Sequence, residues 1–328
     1  MADWAILSGR ACQPADLSGD RSLVLEWDMP LAGPTVLLDW RDPGGADRAL
    51  SVFVDPATGL AIRQREGARV TRHALAGPLG LPGGGVARLV LAQCGGPAPD
   101  WRLVLSTEGQ VLRSTRGRGG LPLDPRVLGA MAAGEGLARH PALAWYGLAA
   151  GPDVPAPHPW IAAHVPLDTP SGPCPAGRLR PGDRVLTPAG PRAISDIAIE
   201  EVPAAGTLAP VRLRSPFFAR DRDIVVAAEQ PVFLQGTTVE YLLGCEAALA
   251  EAAHLTDSHA ALREPLPGPA RGVRLAVAGR DPAAQVVLAG GCGLALHGPV
   301  APGARILAAY EALPLRLHLG TGLGTRAA

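Results

Sequence analysis

Leu167–Ile197, LDTPSGPCPAGRLRPGDRVLTPAGPRAISDI, and Val211–Gly244, VRLRSPFFARDRDIVVAAEQPVFLQGTTVEYLLG, decide the reading of the second half of the chain. Arg180-Pro181-Gly182-Asp183 is a turn signal: proline fixes one torsion and glycine supplies a positive φ before the strand RVLT. Val211 and Leu213 alternate with Arg212 and Arg214, which predicts a half-buried strand, and Ile224, Val225 and Val226 predict a fully buried one. The segment GCEAALAEAAHLTDSHAAL (244–262) reads as a short helix, with Ala247, Ala250 and His254 at helical spacing. Val286–His297 supplies a further strand run. Residues 301–313, APGARILAAYEAL, read as a helix with Ile306, Tyr310 and Leu313 on one face. The Gly-rich end LGTGLGTRAA is expected to fray.

The order strand, Pro-Gly-Asp turn, strand, long connection and strand pair resembles the Hint (Hedgehog/intein) self-processing domain of the bacterial type. The resemblance covers about a third of the chain. It implies a nucleophile that attacks its own preceding carbonyl, at a position near Trp160. An acyl shift needs a thiol or hydroxyl there, yet no Cys, Ser or Thr occurs from Arg116 through Asp168. The family's serine-proline-glutamine-histidine block falls on Ala228, Glu229, Gln230 and Pro231, so a proline stands where the histidine would. Proline offers neither a side-chain base nor a backbone N–H. Cys174, between Pro173 and Pro175 on an expected hairpin turn, is the fallback nucleophile. Pro181, Gly182 and Asp183 belong to the scaffold. The resemblance thus implies a degenerate domain without autoprocessing.

Composition narrows the chemistry further. The chain has 328 residues, enough for two domains, with 47% hydrophobic and 18% charged residues. It contains no asparagine, so intein-type terminal asparagine cyclisation is excluded, and no lysine, which removes P-loop hydrolysis, Schiff-base and kinase-type chemistry. The net charge of +0, without basic blocks, gives no footprint for nucleic acid. No run of 18 apolar residues is present. MADWAILSGRACQPAD lacks the pattern of a Sec signal peptide. Location therefore stays open between the cytoplasm, a non-Sec export route and an assembly. Five scattered cysteines, Cys12, Cys94, Cys174, Cys245 and Cys292, form no CxxC pair, and read as small buried hydrophobes. His140, His158 and His164 suit no single helix face, and His254 and His259 read as packing or solvent features. No metal site or cofactor is expected.

Residues 20–115 alternate in short runs between turns: SLVLEWDM, TVLLDWRD, ALSVFVD, GLAIRQREG, RVTRHAL, VARLVLAQ and WRLVLST. Their even spacing predicts an all-β sandwich. Asp55-Pro56-Ala57-Thr58-Gly59 marks a hairpin. Leu50, Val52 and Val54 alternate with Ser51 and Phe53, a strand read as covered on both faces. GLPGGGVARLVLAQ precedes a strand rather than a helix, so it is read as a hairpin connection and not as a phosphate loop. DPRVLGAMAAGEGLA is a helix capped by Asp124, with Pro125 in the first turn and Gly136 weakening its end. The run from Val24 to Asp42, the following hairpin and VARLVLAQ…WRLVLSTEGQVLRS are similar to a laminin-G/concanavalin-type jelly roll. That resemblance implies glycan or calcium binding, although the acidic cluster a calcium site needs is not visible.

The expected architecture is mainly β: a jelly-roll-like β-sandwich over residues 1–150, then a Hint-like β-rich domain with minor helices over 151–328. The boundary is placed in the Pro-rich stretch Gly151–Pro159. The expected function is non-catalytic, a binding or structural role with surface polysaccharide as ligand. Four of six tryptophans lie before residue 102. Trp27, Trp40 and Trp101 are candidate sugar platforms, with a core role as their competing explanation. Arg41, Arg63 and Arg65 are candidate forked donors for hydroxyl pairs or acidic sugars. Two rival readings are a self-cleaving Hint protein and a structural subunit of a phage-like or surface assembly. Neither ligand identity nor oligomeric state is fixed by sequence.

Overall fold

The computed structural model describes residues 4–6, 20–107, 109–154, 156–266, 268–279, 285–296 and 304–320. The chain forms two compact units. The first comprises Met1–Ala156 with Pro203–Thr207 and Pro267–Pro269; the second comprises Pro157–Val202, Leu208–Leu266 and Ala270–Ala328.

The first unit is a two-sheet sandwich. Its strands are β1 (Trp4–Ile6), β2 (Arg21–Met29), β3 (Thr35–Arg41), β4 (Arg48–Asp55), β5 (Gly59–Glu66), β6 (Arg69–Ala76), β7 (Gly85–Cys94), β8 (Asp100–Thr107), β9 (Gln110–Gly117), β10 (Leu137–Arg139) and β11 (Leu143–Ala150). One sheet runs β1-β11-β2-β7-β8-β9 and the other β10-β3-β4-β5-β6. Period-two alternation explains the packing: Leu23, Leu25 and Trp27 of β2 and Leu89 and Leu91 of β7 meet Leu38, Trp40, Leu50, Val52 and Ile62 of the facing sheet. Ser51 and Phe53 alternate outward; Phe53 is 38% exposed, so this strand is covered on one face only. The Gly80–Gly85 stretch leads from β6 in one sheet to β7 in the other. It is therefore an inter-sheet crossover and not a hairpin.

The Asp55–Gly59 hairpin forms as expected, with the Asp55 carboxylate accepting from Ala57 N–H at 3.0 Å and from the Thr58 hydroxyl at 2.5 Å. Asp124 caps the helix α1 (Pro125–Ala133) through Arg126 N–H at 2.8 Å. The helix ends at Gly134, in the left-handed region with φ 74°, two residues earlier than expected. Gly136 serves a different purpose: a Cβ there would lie 2.0 Å from the Arg41 carbonyl oxygen.

The second unit has a seven-stranded sheet in the order Arg184–Thr187, Gly190–Val202, Ala270–Val277, Ile161–Ala162, Ile224–Val226, Val211–Leu213, Ala261–Arg263. A five-stranded sheet follows the order Val286–Ala289, Cys292–Ala295, Pro231–Gln235, Ala247–Glu251, Arg305–Ile306. Pro166–Leu167 and Cys174–Pro175 make a two-stranded ladder. Two helical expectations fail. Within 244–262, Ala247–Glu251 is a strand paired with Pro231–Gln235, and Ala252–Leu255 is a 3-10 turn. Within 301–313, Arg305–Ile306 is a strand parallel to Ala248–Leu249, and the helix spans Leu313–Gly320 instead. Pairing along a sheet edge satisfies the backbone of the alanine-rich segment and overrides its helical propensity. The expectations for residues 321–328 and for Cys12 lie outside the described residues. Among those described, no helix is long and apolar enough to cross a membrane.

Candidate functional sites

The Pro-Gly-Asp turn builds the frame of the second unit. Asp183 accepts from Arg180 N–H at 2.8 Å, and its own N–H returns to the Arg180 carbonyl at 3.1 Å. Gly182 has φ 96° and donates to the Ile194 carbonyl at 2.8 Å, tying the turn to the long strand Gly190–Val202. Trp160 immediately precedes the strand Ile161–Ala162, which lies inside the sheet with Ile161 opposite both Val226 and Val273. Its indole is 5% exposed, and its carbonyl accepts from Ala227 N–H at 2.9 Å. Gly272 on the adjacent strand makes room for the ring: a Cβ there would stand 3.0 Å from Trp160 Cγ.

Trp160 lines a cavity of about 210 Å³ together with Gln230, Asp196, Arg274 and aliphatic groups. The member of the 228–231 block that faces this cavity is Gln230, whereas Pro231 begins a strand opposite Glu251. Gln230 is buried, and its Nε2 donates to the carbonyls of Ala295 at 2.7 Å and Pro231 at 3.2 Å. An amide so engaged is no general base, and no thiol, hydroxyl or imidazole lines the cavity. Cys174 is in a strand opposite Leu167 rather than on a turn, and does not line the cavity. Burial pushes the Cys292 thiol up to about 12, which leaves it protonated and inert at neutral pH.

The histidines are dispersed. His158 Nε2 is 2.6 Å from Glu200, His254 Nε2 is 3.7 Å from Glu251, and the His259 ring packs edge-on against Phe217. No group of three His, Cys, Asp or Glu side chains suited to a metal occurs among the described residues.

In the sandwich, Trp27 and Trp40 are buried in the core and present no face to a sugar. Trp40 Nε1 donates to the Glu135 carbonyl at 2.9 Å, which fixes it as a packing residue. Trp101 is half-buried. Its ring crosses Gly117, where a Cβ would come within 2.4 Å, and meets His73 edge-on at 4.5 Å.

The three arginines do converge. Arg41, Arg63 and Arg65 line one concavity of about 550 Å³ on the five-stranded sheet, with Asp39, Asp47 and Ser51. Register produces this: Asp39, Ser51 and Arg63 follow one another across β3, β4 and β5, with Arg41, Ala49 and Arg65 in an adjacent row. Arg41 pairs with Asp39 at 3.2 Å and Arg65 pairs with Asp47. The Arg63 guanidinium has no partner among the described residues. The acidic members of this set were not singled out from sequence; the i, i+2 spacings 39/41 and 63/65 carry the signal.

Residues 161–289 match the family model of the Hint domain. The chain thus carries a Hint domain preceded by a β-sandwich. Among solved structures, it is similar to the CBM40 of the Ruminococcus gnavus IT-sialidase bound to α2,3-sialyllactose. The identity is 10% and the TM-score 0.28, covering 42% of this chain and 78% of that one. The same module bound to α2,6-sialyllactose gives 10% identity and a TM-score of 0.25, covering 42% and 79%. No curated protein matches the chain.

Proposed function

We propose that this protein acts by binding and not by self-cleavage, its Hint domain being a retained scaffold and its sandwich recognising surface polysaccharide. The observation that carries the proposal is the indole of Trp160 in the cavity it shares with Gln230, a cavity lined by no thiol, hydroxyl or imidazole. An acyl shift has no attacking atom there: the carboxylate of the cavity, Asp196, has no thiol or hydroxyl in the lining to activate. Recognition is assigned to the Arg41, Arg63 and Arg65 concavity. Guanidinium forks held on a rigid sheet suit hydroxyl pairs and acidic sugars, and the unpaired Arg63 is available to a ligand without first breaking an ion pair.

Intact mass tests the first half of the proposal. After incubation at neutral pH with thiol or hydroxylamine, a single species near 33.7 kDa is expected. A fragment pair cut between Ala150 and Cys174 would establish the self-cleaving alternative, and Cys174→Ala would then show whether that thiol attacks. Retention of the full chain on bacterial surface polysaccharide tests the second half. Arg63→Gln/Arg65→Gln is expected to weaken it roughly tenfold, about 1.4 kcal/mol.

One observation favours a second reading, that of an assembly subunit. Tyr241, Ile306, Tyr310 and Leu317 of the second unit are each more than 60% exposed. Large apolar side chains left this exposed are candidates for a contact surface. Sedimentation velocity over a range of concentrations separates the readings: a monomer throughout would remove the assembly reading.

A further inference from the structure

The second large cavity of the sandwich is on the sheet opposite the Arg63 concavity. It measures about 620 Å³, within the range of small-molecule sites. β8 and the edge strand β9 supply most of it. The register sets Arg102 directly opposite Arg116 and Trp101 opposite Gly117, and Arg118 follows in the chain. Ala92, Cys94, Asp100, Pro152 and Asp153 complete the lining.

Like charges directly across an antiparallel pair destabilise it. A fold under no other demand would place an acid at one of the two positions. Arg102 is relieved by Asp153 at 3.3 Å, an exposed pair of little net strength. Arg116 and Arg118 have neither a carboxylate nor a hydrogen-bonding partner among the described residues. The cavity therefore holds two free guanidiniums and an excess of positive charge in a chain whose net charge is +0. Ala92 and Pro152 give it apolar surface beside those forks.

We propose that this cavity is a second binding site, independent of the Arg63 concavity, and that it takes a carboxylate-bearing sugar. Arg116 and Arg118 hold the carboxylate, and the ring settles against the apolar lining. A carboxylate matches the planar guanidinium fork in two parallel hydrogen bonds, and a negative charge held at Arg116 offsets its repulsion from Arg102 across the strand pair. The neutral whole-chain charge and the small extent of the basic surface favour a sugar over a nucleic-acid backbone, which needs an extended basic track.

The experiment uses the full chain and isothermal titration with oligogalacturonate, neutral dextran, dextran sulfate and a single-stranded oligonucleotide. Binding of oligogalacturonate is expected, with at least a tenfold loss in Arg116→Gln/Arg118→Gln and partial retention in Arg116→Lys/Arg118→Lys. The glutamine variant should melt no lower than the parent, because the like-charge pair is gone; a purely structural role for these arginines predicts a lower melting point. Loss of binding in Arg63→Gln/Arg65→Gln but not in the Arg116 variant overturns this site and leaves the proposed function standing. Equal binding of dextran, or preference for dextran sulfate or the oligonucleotide, overturns the ligand class. Failure of every polysaccharide to bind overturns both this site and polysaccharide recognition by the sandwich.

Discussion

The two units differ in what they bury. Among the described residues the sandwich encloses Arg21, Ser22, Glu26, Gln64, His73 and Gln93, whereas the Hint-domain unit encloses only Thr187 and Gln230. The domain whose family performs chemistry thus has the more inert interior. Glu26 shows what the buried groups of the sandwich are for. Its carboxylate accepts from Trp145 Nε1 at 2.8 Å, from Thr207 N–H at 2.7 Å and from the Thr207 hydroxyl at 2.6 Å, and it pairs with Arg88. Every lone pair has a donor, so the charge joins elements distant in sequence and is closed to substrate. Burial of an ionisable group is therefore a poor guide to the active part of this molecule. Under the proposed function, the exposed arginines are the better one.

If the Hint unit is held by shape, its largest sensitivity is to volume. Trp160→Cys places a thiol near where the family resemblance puts the attacking group but empties most of the indole's space. Large-to-small changes of this kind cost about 3–5 kcal/mol. The variant is expected to unfold at markedly lower denaturant and still to give one species by intact mass, since no imidazole lines the cavity to assist the new thiol. Cleavage before residue 160 would show that the cavity kept its machinery and lost only the nucleophile.

How much of this was legible in the sequence depends on the range of the interaction. Strands with period-two alternation, the Asp55–Gly59 hairpin, the Asp124 cap and the Pro-Gly-Asp turn are written locally, and each appears where its residues place it. So is the convergence of Arg63 and Arg65, which share a sheet face by i, i+2 spacing. Ala247–Glu251 was not legible, because its strand state is imposed by Pro231–Gln235 across a ladder. Trp27 and Trp101 occupy similar aliphatic runs, yet one is buried and the other lines an open cavity. Only the facing sheet distinguishes them. Gln230 was matched to the family block from sequence, but its place beside Trp160 in a cavity depends on the strands packed around it.

Acid should act on the sandwich. His73 is buried between sheets, with Nε2 2.9 Å from Gln64 Oε1, the Trp101 ring at its edge and no charged neighbour to stabilise an imidazolium. Burial lowers its pKa to about 4. The unfolded chain binds this proton near 6.5, the folded chain only near 4, so stability is lost as pH falls through that window. The loss reaches about 3 kcal/mol once pH 4 is passed. Chemical denaturation at pH 7 and pH 4 should show that increment in the parent and not in His73→Gln. An equal acid loss in both would remove His73 as the cause and weaken the contrast between the units.

The smallest expected effect isolates backbone geometry in the Hint unit. Gly182 has φ 96°, yet a Cβ built there meets nothing within 4 Å. Gly182→Val therefore incurs torsional strain without a clash, and β-branching narrows the tolerated torsions further. The expected destabilisation is on the order of 1–2 kcal/mol. Gly182→Ala should cost less, because the left-handed region excludes a β-branched side chain more strongly than a methyl. The Asp183 carboxylate retains its bond to Arg180 N–H in both variants, so the turn should loosen without opening. Amide exchange at Gly182 and Ile194, whose N–H groups close this turn against the long strand, reads the effect locally. If both variants melt with the parent and exchange at the same rate, φ at this turn is not what fixes the strand Arg184–Thr187. The turn would then follow the sheet it was expected to start.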